Sequence, residues 1–170
     1  MLLLLLMVGF ESAQDYETIS WSASRPLSWN DFRGNVPTSP RAAAITASGI
    51  TYSFATSGTK DAMEFDFKID TFFYPTKSWY QPSVCDAIIL SHEQLHFDIS
   101  ELFARKMKKR LEAETFTYDT VKSKVKSIYR ETLDELDDFQ NRYDTETNFS
   151  RNLAKQEEWK LQIENALQEP

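Results

Sequence analysis

The stretch Ile88-Ile89-Leu90-Ser91-His92-Glu93-Gln94-Leu95-His96-Phe97-Asp98-Ile99-Ser100-Glu101-Leu102-Phe103 decides how the chain is read. Ile88, Ile89, His92, Leu95, His96, Ile99 and Phe103 recur at three- and four-residue spacings, and neither Gly nor Pro occurs from Ser83 to well past Arg110. That period belongs to one long helix. On it, His92 and His96 lie one turn apart, so both imidazoles reach a single cation. Glu93 sits about 100° further round, where it leans toward the metal's open position and does not compete as a ligand. Zinc held this way lowers the pKa of a water and polarises a carbonyl, with Glu93 as general base. The chain has only two histidines. Finding them four apart with Glu after the first is a coincidence of about one in a thousand.

Working outward, a second helix is expected after Asp119, taken as its N-cap, with Val121, Val125, Ile128, Thr132, Leu136, Phe139 and Tyr143 on one stripe. Arg151 to Leu167 reads as a third, amphipathic through Leu153, Trp159, Ile163 and Leu167. Before the motif, Phe65, Phe67, Ile69, Thr71 and Phe73 alternate with charged residues, the period of a strand with one wet face. A partner strand is expected from Ala43 to Ala55, with the turn at Ser57-Gly58-Thr59-Lys60-Asp61. Trp21 to Arg41 is irregular and supplies aromatics to pack elsewhere. Lys106, Lys108, Lys109 and Arg110 read as a solvated helix end.

A catalytic zinc takes three protein ligands and leaves one place for water. No third histidine exists, and Leu102 and Ile99 occupy the places that an extended His-x-x-Gly-x-x-His motif would need. The third ligand is therefore a carboxylate, and Glu135, Asp144 and Glu146 are the candidates. Cys85, seven residues before His92, falls on the same helix face but about 10 Å away, too far to share the ion, and reads as a small core residue. Asp98 points away from the histidines, Glu101 and Arg105 form an i,i+4 ion pair, and Tyr143 is a core tyrosine or an oxyanion donor.

With 170 residues and 41% hydrophobic content, the chain builds one core. The aromatic share of 14% and the four tryptophans argue against disorder. A net charge of −7 points away from nucleic acid. Met1 to Phe10 is an apolar run of signal-peptide length, with cleavage expected after Ala13 and too short to span a bilayer. The remaining residues, 14–170, are read as a single domain, secreted or held in the periplasm or cell envelope. Cys85 is the only cysteine, so no intramolecular disulfide forms.

The motif segment His92 to Ile99 with Glu101 and Arg105, together with Trp29-Asn30-Asp31-Phe32, Ser78-Trp79, Tyr143-Asp144-x-x-Thr147 and Gln156-x-x-Trp159, resembles the bacterial domain-of-unknown-function family 922. The resemblance implies a secreted zinc-dependent protease. Two positions depart from the family pattern: Leu95 stands in place of Gly, and Asn148-Phe149-Ser150 follows Thr147 where the pattern has x-His-Gly. The resulting expectation is an α+β, zincin-like domain with an antiparallel hairpin beside the motif helix and two further helices. Zn2+ would be the cofactor and a peptide or protein the substrate, laid along the hairpin's edge. The alternative is a non-catalytic envelope domain that keeps the scaffold for binding.

Overall fold

The computed structural model describes residues 17–59 and 62–168. The expected signal peptide, residues 1–13, and Lys60 and Asp61 of the expected turn lie outside the described residues.

The architecture is α+β: small antiparallel sheets packed against three helices. Strands β1 (Ile19–Ser20), β2 (Ala44–Ile45), β3 (Ser48–Thr59), β4 (Ala62–Phe73) and β5 (Trp79–Tyr80) precede helices α1 (Ala87–Ala113), α2 (Val121–Thr147) and α3 (Leu153–Gln168), and a 3-10 turn covers Trp29–Asp31. β3 and β4 form the hairpin, in register from Ser48 opposite Phe73 to Thr59 opposite Ala62. Its alternation sends Ile50, Tyr52, Phe54, Phe65, Phe67 and Ile69 onto the helices. Phe54 faces Phe67 across the strands at 5.8 Å between ring centroids, the kind of aromatic pair that fixes register.

Two sequence expectations shift here. The strand expected from Ala43 splits, because Ala44 and Ile45 pair with Tyr80 and Trp79 in a separate two-stranded sheet. Between the two pieces the backbone changes partners: Ala47 N donates to Ser78 Oγ at 2.9 Å, and Tyr74 N donates to Ala47 O at 2.8 Å. Pairing also continues through Thr59, past the expected start of the turn, and Gly58 adopts φ 94°, which a residue without Cβ reaches at no steric cost.

α1 starts where Asp86 caps it, its carboxylate accepting from Ile88 N and Ile89 N at 2.9 Å each. The helix is the core's axis. Leu95, Ile99, Phe103, Met107 and Leu111 join Ile50 of the hairpin with Val125, Leu136 and Tyr143 of α2 and Trp159 and Ile163 of α3. Each fully buried side chain of this size stabilises the fold by about 1.5–3 kcal/mol relative to leaving it exposed. A second cluster forms as Phe97 meets Phe73, Phe32 and Leu27, with Trp21, Trp29 and Tyr80 packed against it, so the irregular segment does place its aromatics on other elements. Gln94 and Asp98 hold that segment down: Gln94 Oε1 accepts from Leu27 N at 2.6 Å, and Asp98 Oδ1 accepts from Trp21 Nε1 at 2.8 Å.

Smaller corrections concern the helix ends. Cys85 precedes the Asp86 cap and so lies off the α1 face, its thiol donating to Ala43 O at 3.3 Å. The cap of α2 is Thr120 and not Asp119. Leu153 is exposed, because Trp159 and Ile163 take the buried stripe of α3. The basic cluster at the end of α1 is not simply solvated: Lys106 Nζ sits 4.1 Å from the Phe103 ring centroid and Arg110 pairs with Glu135.

α2 ends in an elbow of three consecutive left-handed residues, Asn148, Phe149 and Ser150, at φ 49°, 53° and 70°. Each costs about 1–2 kcal/mol without a glycine. The cost is offset by capping bonds, from Phe149 N to Asp144 O at 2.9 Å and from Asn152 N to Thr147 O at 2.8 Å. Among the described residues no helix is long and apolar enough to cross a membrane.

Candidate metal centre

His92 and His96 project from α1 toward the last turns of α2, and Asp144 meets them there. Its Oδ1 lies 3.0 Å from His92 Nε2 and 3.0 Å from His96 Nε2. One ligand atom from each of the three residues falls within 4.8 Å of the other two, a grouping able to hold a metal ion.

The other two candidates are engaged elsewhere. Glu135 accepts from Arg110 Nη2 at 2.7 Å on the surface, and Glu146 accepts from Trp159 Nε1 at 2.8 Å. Glu93 is 6% exposed and lines the cavity outside the three-residue group. Its backbone carbonyl accepts from Thr46 Oγ1 at 3.2 Å, which ties the strand segment to the motif turn.

The second ring nitrogens carry an orienting layer that the motif does not announce. His96 Nδ1 donates to Gln140 Oε1, and His92 Nδ1 is hydrogen-bonded to the Gln156 side-chain amide, each at 3.0 Å. The Gln140 amide orientation, and with it the His96 tautomer, follows from a further partner. Gln140 Nε2 donates to His96 O at 3.3 Å, an atom that can only accept, and Gln156 Oε1 accepts from Tyr143 Oη at 2.9 Å. With Nδ1 of His96 carrying the proton, its Nε2 lone pair faces the Asp144 carboxylate, and His92 Nε2 lies at the same 3.0 Å from that oxygen. Two ring nitrogens and a carboxylate oxygen converging on one point suit a cation, so the donor set fits a metal.

The same field acts on protons. Burial disfavours charge on His96, yet the hydrogen bond and charge of Asp144 outweigh it and hold the imidazole above its ordinary pKa. Burial likewise penalises a charged Asp144, but hydrogen bonds from His92 and His96 keep it well below the usual carboxylate range. A ligating histidine must be neutral, so a metal competes with the His96 proton and binding weakens as pH falls through that raised pKa. A chelator-competition titration at pH 8 and pH 6 is expected to show affinity falling by about tenfold per pH unit for each proton displaced.

Tyr143 is fully buried. It stacks on the His92 ring at 4.5 Å and 21°, and its hydroxyl is committed to Gln156. Burial first, then the nearby carboxylates, push its pKa up and keep it neutral, so it packs against the two imidazoles as a buried, neutral ring. Asp98 lies away from the centre, and Glu101 accepts from Arg105 Nε at 2.9 Å. Gln140 belongs to no motif in the sequence. Its signal is its spacing of four before Asp144, which puts both on one flank of α2.

The centre opens into a cavity of about 600 Å³, within the range of ligand sites. α1 contributes Ile89, His92, Glu93 and His96, and α2 contributes Gln140 and Asp144. The remaining lining comes from Arg41–Thr46, which includes β2, and from Phe149–Arg151 of the elbow. The hairpin, whose edge is the expected place for substrate, contributes no residue to this lining, and its apolar face packs on the helices. The strand beside the centre is β2.

No curated protein and no solved structure matches the chain. Over residues 76–151, which hold both histidines, Glu93 and Asp144, the chain matches the family described as Bacterial protein of unknown function (DUF922).

Proposed function

We propose that this is a zinc-dependent peptidase with His92, His96 and Asp144 as ligands and Glu93 as general base. The observation that carries it is the convergence of two Nε2 atoms and one carboxylate oxygen at the head of an open cavity that Glu93 also lines. Zinc in that position supplies the acidity of a water and polarises the scissile carbonyl. Glu93 accepts the proton of the attacking water and delivers it to the leaving amine as the C–N bond breaks. Gln140 keeps the His96 imidazole in the ligating tautomer, Gln156 orients that of His92, and Thr46 fixes the turn that aims Glu93. The Ala43–Thr46 segment offers an extended backbone alongside which a peptide can align. The apolar run Met1–Phe10 supports export, which would put the activity in the envelope or outside the cell.

The test is metal removal. Protein dialysed against chelator is expected to lose cleavage of an unfolded protein substrate, followed by mass spectrometry, and to regain it with about one zinc per chain. Cleavage that persists without metal defeats the proposal. Full zinc occupancy with no cleavage favours the second reading, a non-catalytic binding domain, whose specific support is Phe149: it faces the cavity where the family pattern has a histidine, and its side chain cannot ligate or donate.

A further inference from the structure

The cavity carries more positive charge than its metal chemistry uses. The two charges of a divalent ion are matched by Asp144 and Glu93, yet Arg41 and Arg151 also line the space. Neither forms an ion pair among the described residues, as Arg130 and Arg142 outside the cavity do not, whereas Arg25, Arg33, Arg105 and Arg110 are each matched with a carboxylate. Arg151 is held in place by the elbow, its Nη1 donating to Asn148 O at 3.3 Å, which leaves most of its guanidinium donors uncommitted. On a chain of net charge −7, Arg41 and Arg151 bring two guanidiniums without a carboxylate partner to one cavity. Their planar forks fit a carboxylate in two-point contact. The same cavity has an apolar border: Phe149 is 59% exposed and Ile45 42% exposed, and Ile89 joins them in the lining. Left-handed backbone at Phe149 and its neighbours sets this aromatic ring beside the opening, where a buried role is not available to it.

Building on the peptidase reading, we infer that the substrates are peptides with a carboxylate close to the scissile bond, gripped by Arg41 and Arg151. A neighbouring hydrophobic side chain lodges against Ile45, Ile89 and Phe149. The carboxylate comes either from the chain end or from an acidic side chain, and the arms of one experiment separate these sources.

Zinc-loaded protein with Glu93→Gln, which retains the ligands, is titrated by calorimetry with three N-acetylated peptides of one phenylalanine-containing sequence. One ends in a free acid, one in an amide, and one in an amide with an internal glutamate. At least one acidic form is expected to bind on the order of ten- to a hundredfold more tightly than the neutral amide. That advantage should vanish when Arg41→Gln and Arg151→Gln are added, with zinc content and circular dichroism unchanged. Preference for the free acid assigns the group to the chain end, and preference for the internal glutamate assigns it to a side chain. Equal binding of all three peptides, or a preference indifferent to the arginines, overturns the inference. Cleavage by the wild-type protein separates the two claims. If it cuts the neutral amide as fast as the acidic forms, the substrate class fails and the peptidase stands. Arginine-dependent binding without any cleavage retains the carboxylate subsite and removes the peptidase.

Discussion

Glu93→Gln is expected to lower peptide cleavage by about two to four orders of magnitude, the usual contribution of a positioned general base, equivalent to roughly 3–5.5 kcal/mol of barrier. Gln has the shape of Glu but accepts no proton, so the attacking water keeps its proton and the leaving amine receives none. The side chain belongs to the cavity lining and lies outside the group formed by His92, His96 and Asp144, so zinc content should stay at the wild-type level. Folding should be preserved as well, because the contact that fixes this turn, Thr46 Oγ1 to Glu93 O at 3.2 Å, is made through the backbone. Single-turnover cleavage by zinc-loaded variant and wild type, with thermal melts as control, measures the effect. Undiminished cleavage by a zinc-replete variant would remove Glu93 from the mechanism.

The motif half of the centre was legible in sequence because a helix converts spacing directly into direction: four residues is one turn, whatever else the chain does. The other half was not, because it depends on how two helices pack. Glu135 and Asp144 are nine residues apart, about half a turn in rotation, so they occupy opposite flanks of the stripe through Leu136 and Tyr143. Glu146 falls on the Glu135 flank, and Gln140 on that of Asp144. Sequence separates the two flanks but does not say which one faces His92 and His96; packing of Tyr143 against both rings decides it. The hairpin could be read for the same reason as the helix, from a period. β2 and β5 could not, since two-residue strands have no period, and their existence rests on contacts from Ala43 to Gln81. That is why the sequence pointed to the hairpin while the cavity is lined by Arg41–Thr46, which includes β2.

Asp144→Ala should weaken zinc binding by at least about a hundredfold, since loss of a mere orienting partner of a ligand already costs ten- to a hundredfold. The metal-free protein should suffer too, in a pH-dependent way. The depressed Asp144 pKa means that its charge stabilises the fold above the unfolded value of about 3.8, and that contribution is lost as pH falls through the folded pKa. The raised His96 pKa stabilises the fold below the unfolded value of about 6.5, and is lost as pH rises through the folded one. Both contributions are present between those two values, so the metal-free variant should be destabilised most near pH 5, by on the order of 1–3 kcal/mol for a buried imidazole left without its charged partner. Asp144→Asn keeps the shape and one hydrogen bond, so it should fold more nearly like wild type while still failing to hold zinc. Glu135→Gln, in contrast, should lose only its surface pair with Arg110, worth roughly 0–1 kcal/mol, and bind zinc as wild type does. Chelator-competition titrations of the three variants, with denaturant melts at pH 5 and pH 8, test the set together. Wild-type zinc affinity in Asp144→Asn, or its loss in Glu135→Gln, would move the third ligand off Asp144.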